Sequence, residues 1–429
     1  MLALAGLITI ALVLAAILSK RLSPLVALAA IPFLAALLLG QGADAGKFML
    51  NGMVTVAPMA AMFLFAILFF SVLADAGLFR PIVAGILRLA GHHPARIALG
   101  TAILTSIVHL DGSGAATFLI VVPALVPVYD RLGLDRRMLA CIVAMAAGVG
   151  NMLPWGGPTI RAATALNVPV MDFFAPIIPV YAVGVLAMLA LSWWIGTRHA
   201  VVHGGRFETP VAVDLTDGQT AEPLGLRWLA NAATVIAVLG LMLAGILPPA
   251  IAFLLGSLVA LLVNLRAPDA QRDAIERHAP AAISMVAILF AAGAFTGIMR
   301  GTGMLDALAH AGAGLLPGGS AAHLPLITGI ASMPLSLFFD PDSFYFGVLP
   351  VLGGIAEHGG VPAIEVGHAA ILGQMTTGFP VSPMTPATFL LVGLAGVDLA
   401  DHQRFAIRYL FLLTLVMVAA ALLMGVLRL

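Results

Sequence analysis

Residues 150–159 read GNMLPWGGPT, and residues 376–386 read TTGFPVSPMTP. Neither stretch can continue a helix, because proline removes a backbone donor and glycine loosens the chain. Four positions of the first region recur 226 residues later, so Asn151, Pro154, Thr159 and Asp172 align with Thr377, Pro380, Thr385 and Asp398. The sequence therefore contains the same interrupted pattern twice.

The composition around these two stretches is that of a membrane protein. Hydrophobic residues make up 61% of the chain and charged residues 9%, whereas about a quarter of a soluble domain is charged. Apolar stretches long enough to span a bilayer start near Leu2, Leu25, Val54, Ala140, Phe173, Leu226, Ala250, Ala281, Ile364 and Phe405. Paired interrupted segments in such a protein indicate a transporter whose substrate lies at the interruptions. No basic cluster indicates binding of nucleic acid.

Four apolar arms of about fifteen residues are too short for full crossings, which need about twenty. Arms 97–110 and 115–129 flank Asp111, and arms 324–339 and 344–356 flank Asp340. We therefore expect two re-entrant hairpins whose tips meet inside the bilayer, buried in protein.

The distribution of basic residues predicts the orientation. Five crossings per half is an odd number, so the second half should run inverted relative to the first. This threading places sixteen Lys and Arg residues on one face and three on the other, so the rich face is cytoplasmic and both termini lie outside. The predicted organisation is an all-α polytopic protein with a first inverted repeat (1–198), a cytoplasmic linker (199–225) and a second inverted repeat (226–429). Interfacial helices are expected near 80–91 and 305–316.

The hairpin tips carry three acidic residues. A charge near the bilayer centre costs about 2.5–3.5 kcal/mol on insertion scales, so Asp111, Asp340 and Asp342 are predicted to carry coupling protons or to contact a metal. The alternative is that they only cap the helical arms that follow.

The two interruptions free backbone carbonyls and expose half-helix N-termini near Thr159 and Thr385, which suit carboxylates. Arg161 has no counterpart, since Ala387 occupies the matching position. Its guanidinium can grip a carboxylate and so favours a substrate with several negative charges. The alternatives are permanent neutralisation of Arg161 by an acid, and kinks that only shape packing. The predicted substrate-binding residues are Ser113, Gly114, Asn151, Gly156, Gly157, Thr159, Arg161, Ser343, Thr377, Ser382 and Thr385, with no catalytic residue.

At these motifs the chain resembles the citrate-metal-proton symporter family (CitMHS), a branch of the ion transporter superfamily. The resemblance extends almost from end to end. It is carried by KRLSPLVAL at 20–28, TVAP at 55–58, DAGLF at 75–79, NMLPWGGPT at 151–159 and RAATAL at 161–166.

The resemblance implies proton-driven uptake of citrate complexed with a divalent, magnesium-like or calcium-like metal ion, with no permanently bound cofactor. It also implies a multi-pass cell-membrane protein, a homodimer in which each protomer has a scaffold and a mobile domain, and an elevator motion. The Asp-rich hairpin tips differ from the Ser-Asn-Thr tips of sodium-coupled carriers in the superfamily. This difference disfavours coupling of transport to sodium.

Three rival functions remain open. One is a proton- or sodium-coupled carrier of a dicarboxylate, tricarballylate or gluconate. Another is a cation/proton antiporter, which would not need Arg161. An enzyme is disfavoured because H-E-x-x-H and G-x-S-x-G are absent from the sequence.

Overall fold

The computed structural model describes residues 1–19, 21–79, 81–82, 85, 93–202, 225–315 and 320–428, and all regular structure in these ranges is helical. Up to residue 202 the helices are α1 (Leu2–Leu18), α2 (Pro24–Leu38), α3 (Gly42–Asp75), α4 (Pro94–Val108), α5 (Gly114–Arg131), α6 (Arg136–Gly150), α7 (Gly157–Leu166), α8 (Val170–Phe174) and α9 (Ile178–Val202). From residue 226 they are α10 (Leu226–Leu243), α11 (Pro249–Asn264), α12 (Pro268–Gly301), α13 (Met304–Leu315), α14 (Leu324–Leu335), α15 (Leu349–His358), α16 (Ala363–Ile371), α17 (Pro386–Ala395) and α18 (Leu399–Leu423). A π-helical turn, Ser343–Val348, precedes α15.

Local sequence accounts for where many helices begin. Proline suits the first helical position because the N–H it lacks would have no partner there. The helices α2, α4, α11, α12 and α17 start in this way, at Pro24, Pro94, Pro249, Pro268 and Pro386. Side-chain oxygens cap other first turns. The capping residues that accept a backbone N–H include Ser23, Ser113, Asp135 and Asp398.

One pair of long helices agrees in length and spacing between the two parts of the chain. The helices α3 and α12 are each 34 residues long, and their first residues, Gly42 and Pro268, are 226 positions apart. The helix α9 continues to Val202 and so includes the first four residues of the predicted linker, 199–202. Residues 203–224 lie outside the described part of the chain, as do 80, 83–84 and 86–92 of the first predicted interfacial helix. The second predicted interfacial segment forms α13.

Six helical segments in the described ranges are long and apolar enough to cross a membrane. They are Gly42–Asp75, Gly114–Arg131, Val170–Arg198, Leu226–Leu243, Ala282–Gly301 and Leu399–Leu423. The helix α5 has 18 residues and so exceeds the predicted arm length, whereas α1, α2 and α11 have 17, 15 and 16 residues. Large apolar side chains cover the outside, and Leu38 and Leu423 are each 89% exposed. A contiguous apolar exterior of this kind suits lipid rather than water.

The long helices α3 and α12 pack against each other through glycines. A Cβ atom added to Gly52 would lie 1.9 Å from the carbonyl oxygen of Gly293, and one added to Gly297 would lie 2.2 Å from that of Phe48. The two backbones therefore touch at these positions. Small residues four apart, such as Gly293, Gly297 and Gly301, allow such close packing in membranes.

We expect Gly52→Val to destabilise the protein, because the new side chain forces the two backbones apart. Overpacking typically costs about 1–3 kcal/mol. The measurement is the melting temperature of the purified protein in detergent. Gly46→Val is the matched control, since Gly46 lies on the same helix with nothing within 4 Å of an added Cβ. Equal melting of the two variants would contradict the contact.

Candidate functional site

The first interruption lies between Gly150, where α6 ends, and Gly157, where α7 begins. The Thr159 hydroxyl donates to the carbonyl oxygens of Asn151 and Met152, at 3.3 and 3.0 Å. Gly156 is needed for the tight turn, because an added Cβ would lie 2.1 Å from the Asn151 carbonyl oxygen. The predicted break is therefore a compact turn closed by the first residues of its own half-helix.

The first hairpin tip contacts this turn directly. The indole Nε1 of Trp155 donates to the carbonyl oxygen of Leu110 at 2.7 Å. The imidazole of His109 bridges the arms, with Nδ1 2.8 Å from Thr117 Oγ1 and Nε2 3.0 Å from Asn151 Oδ1. The backbone of Asp111 ends a 3₁₀ turn, and its side chain lies outside the described part of the structure.

The same asparagine joins the two interruptions. Asn151 Nδ2 donates to the carbonyl oxygen of Met375 at 3.0 Å, and Met375 has a φ of 56°. A positive φ is unfavourable for a non-glycine residue and persists only where its surroundings enforce it. Nearby, an added Cβ at Gly148 would lie 2.7 Å from the Thr376 carbonyl oxygen. The first tip also reaches this region, since an added Cβ at Gly114 would lie 2.8 Å from the Phe379 ring.

The second interruption runs from Ile371, where α16 ends, to Pro386, where α17 begins. Most of its predicted hydroxyls already have partners. Thr377 bonds to Thr414 of α18, and Ser382 donates to the carbonyl oxygen of Ser336. Among the residues that the structure describes, three buried polar atoms of this region have no hydrogen-bond partner: Gln374 Nε2, Thr376 Oγ1 and Thr385 Oγ1. Such atoms are costly when unpaired, so they mark a place where a ligand or water can bind.

The two acids of the second tip have different surroundings. Asp340 accepts the backbone N–H groups of Asp342 and Ser343, at 3.0 and 3.1 Å, and the Ser343 hydroxyl. These bonds are those of a cap on the helical arm, the alternative considered for this residue. The carboxylate of Asp342 instead points to another element.

Arg161, the fifth residue of α7, pairs with Asp342 at the second tip. Arg161 Nε donates to Asp342 Oδ1 at 2.8 Å, and the two side chains are only 8% and 9% exposed. The pair combines Arg161 with an acid, the arrangement given above as the alternative to direct substrate contact. Space remains beside the guanidinium because Gly157 has no side chain, and a Cβ there would lie 2.9 Å from Arg161 Nη1.

Several predicted residues outside the second interruption have a defined structural place. Ser113 caps α5, and Asn151, Gly156 and Thr159 build the first turn. Among the described residues, no group of three or more His, Cys, Asp or Glu side chains could hold a metal ion. Asp340 is occupied as a cap, and Asp342 is paired with Arg161.

Sequence reasoning missed Gln374 and Ser336. The Ser336 hydroxyl donates to Gln374 Oε1 at 2.8 Å, and Tyr345 donates to the Gln374 carbonyl oxygen at 2.7 Å. The available signal was a buried glutamine in an otherwise apolar run, two residues before Thr376.

The fold of the chain is similar to that of two solved membrane transporters. It is similar to the crystal structure of the YdaH transporter of Alcanivorax borkumensis, with a TM-score of 0.59 and 15% identity, covering 90% of this chain and 89% of that one. It is also similar to MtrF of Neisseria gonorrhoeae, described as one of a class of antimetabolite efflux pumps, with a TM-score of 0.64 and 11% identity, covering 90% and 84%. At these identities the likeness concerns the fold alone.

Sequence comparison gives the family. The chain belongs to the citrate transporter family CitMHS, whose model matches residues 2–373. It is 40% identical to a citrate transporter of Bacillus subtilis, and 36% identical to a Mg²⁺/citrate complex secondary transporter of the same organism, with 99% of each chain covered in both cases. The predicted family is confirmed, and the chain is a multi-pass membrane protein. Its relatives are named as transporters, which points away from an enzyme.

We expect Arg161→Gln and Asp342→Asn to be strongly destabilising when made singly, because each leaves the other charge buried without a partner. Breaking a buried pair typically costs about 3–5 kcal/mol. The double variant should recover most of the lost stability, as measured by thermal melting in detergent.

The exposed pair Arg404 and Asp401 is the matched control, since its side chains are 82% and 53% exposed and an exposed pair contributes little. Neutralising both of its members should leave melting almost unchanged. Single variants at Arg161 and Asp342 that melt like the parent would contradict a buried ion pair.

Proposed function

We propose that the chain is a secondary transporter that carries citrate complexed with a divalent metal ion together with protons. The observation that carries the proposal is the buried pair of Arg161 and Asp342 beside the first interruption. One relative, 36% identical over 99% of the chain, is named as a transporter of the Mg²⁺/citrate complex. This similarity supports a metal–citrate complex as the substrate.

The chemistry of the pair complements a metal–citrate complex. Such a complex presents one cation and several carboxylates, and the pair offers one anion and one cation. In the empty carrier the two side chains neutralise each other, which lowers the cost of burying them. On binding, Asp342 would contact the metal ion or take up a proton, and the guanidinium of Arg161 would bind a carboxylate. Asp340 would then hold the tip in shape.

The interruptions would supply the remaining contacts. The N-terminus of α7 carries partial positive charge, which favours a carboxylate near Gly157 and Thr159. The unpartnered hydroxyls of Thr376 and Thr385 and the amide of Gln374 would meet polar atoms of the complex or its waters. Ser113, Gly114, Ser343, Thr377 and Ser382 would act mainly by holding the tips and the second interruption in place.

We place these groups within two inverted repeats that move as scaffold and transport domain. The equal lengths of α3 and α12 and their 226-residue offset support a duplicated unit. The strong bias of basic residues supports inverted orientation, with both termini outside. In this arrangement the tips and interruptions would shift together across the bilayer against α3 and α12, in each protomer of a homodimer.

Coupling to protons would make accumulation possible. Fully ionised citrate with one divalent ion carries a net charge of minus one. If two protons accompany it, one positive charge enters per cycle, which is worth about 2.3 kcal/mol per 100 mV. Since about 1.4 kcal/mol corresponds to a factor of ten, a potential of about 100 mV would accumulate the substrate roughly fiftyfold.

The test is uptake of labelled citrate into proteoliposomes, with each divalent metal ion added singly and with or without an inward proton gradient. We expect uptake to require a divalent ion and to rise with the gradient. If a strong chelator leaves citrate uptake unchanged, the substrate is not a metal–citrate complex. If the proton gradient leaves uptake unchanged, transport is not coupled to protons. The Arg161→Gln/Asp342→Asn double variant, which we expect to fold, should fail to transport citrate. The control variant with both Arg404 and Asp401 neutralised should transport citrate normally.

A further inference from the structure

A largely apolar cleft of about 300 Å³ with several polar residues in its wall lies beside the crossing of α3 and α12, next to the C-terminal end of α7. Its volume is at the lower end of the range for small-molecule sites. Its polar lining comes from Asn51 and Thr55 of α3, Thr296 and Arg300 of α12, and Asn167 after α7, and no carboxylate is among its lining residues in the described structure. The cleft therefore has a positive charge without a balancing negative one.

The guanidinium of Arg300 is only partly used. Nη2 donates to the carbonyl oxygen of Leu166 at 3.2 Å, which caps the end of α7. Within the described residues, Arg300 forms no ion pair within 4.0 Å, unlike Arg161. A guanidinium has five N–H donors in a planar fork, so donors remain for a carboxylate.

The hydroxyls of the cleft are already occupied by backbone. Thr55 donates to the carbonyl oxygen of Asn51 at 3.0 Å, and Thr296 donates to those of Ala292 and Gly293 at 3.1 and 3.0 Å. The binding capacity of the cleft thus rests on the guanidinium of Arg300 and on neutral amides such as that of Asn51.

We propose that this cleft is an anion vestibule, a second binding site for small polycarboxylates. It contacts the end of the helix that carries Arg161, and the five residues from Arg161 to Leu166 rise about 7.5 Å at 1.5 Å per residue. Carboxylates held by Arg300 would be concentrated near the transport site. The identity of the anion as citrate rests on the proposed function, whereas the site itself does not.

The structure also accommodates a simpler role for Arg300, that of a helix cap. The C-terminal end of α7 carries partial negative charge, which a guanidinium offsets. The two roles of Arg300 can be told apart by experiment. If Arg300 only caps α7, its loss changes the stability of the protein alone, whereas in a vestibule it binds anions that slow chemical labelling of a cysteine in the cleft.

The experiment measures protection of a thiol in the cleft. Cys141, the single cysteine, is replaced by alanine, and Thr55→Cys places the probe among the lining residues. The full-length protein in detergent is labelled with a membrane-impermeant maleimide, with and without citrate. We expect labelling to slow about tenfold at citrate concentrations ten times the Kd of the site, by simple occupancy.

Arg300→Gln should abolish this protection, and Asn51→Leu should weaken it, provided that melting shows each variant to be folded. The matched control is Lys47→Gln, which removes a positive charge one helical turn from Asn51 at a residue outside the lining. It should retain full protection.

Arg161→Gln/Asp342→Asn should also retain protection, because the vestibule is separate from the transport site. The measurement on this double variant separates the vestibule from the proposed transport function, because citrate would still protect the cleft from labelling even if it were not transported. Absence of protection in the parent, or equal protection in Arg300→Gln and Lys47→Gln, would overturn the vestibule.

Discussion

Two helices are interrupted inside an apolar body, and the backbone groups that each interruption frees must be satisfied by protein, because lipid offers no hydrogen bonds. This constraint organises the structure. Asn151 donates to the carbonyl oxygen of Met375, and Tyr345 donates to that of Gln374. Thr159 closes the first turn on itself. Together with the bond from Trp155 to Leu110 in the first tip, these bonds tie the four irregular segments together, so the positions of the proposed substrate-binding groups depend on all of them.

The ion pair of Arg161 and Asp342 is a second consequence of burial. Two charges of opposite sign are tolerated in a low-dielectric interior only as a pair, and either alone is costly. The pair is also where the duplication fails, since Ala387 stands in the position that matches Arg161. A duplicated frame thus surrounds an unduplicated pair of charges. This asymmetry would suit the proposed substrate, a cation bound by a polycarboxylate, which is itself asymmetric.

The sequence predicted those features that depend on local chemistry. Proline and glycine predicted a break in the helix from Gly150 and a new helix near Thr159; α6 ends at Gly150, and α7 begins two residues earlier than predicted, at Gly157. The family followed from the same stretch. The partner of Arg161 could not be predicted, because Asp342 lies 181 positions away and nothing local selects it over Asp111 or Asp340. The contact of Ser336 with Gln374 was missed for the same reason, since both residues lie in apolar runs whose relative placement only tertiary packing determines.

The most direct test of the account is an experimental structure with the magnesium–citrate complex bound. Arg161 Nε and Asp342 Oδ1 lie 2.8 Å apart in the structure described above. In the complex we expect these two side chains to separate, so that a carboxylate of citrate contacts the guanidinium of Arg161. Asp342 should then lie against the metal ion or one of its waters. An unbroken pair, with the complex bound away from both interruptions, would contradict the central claim.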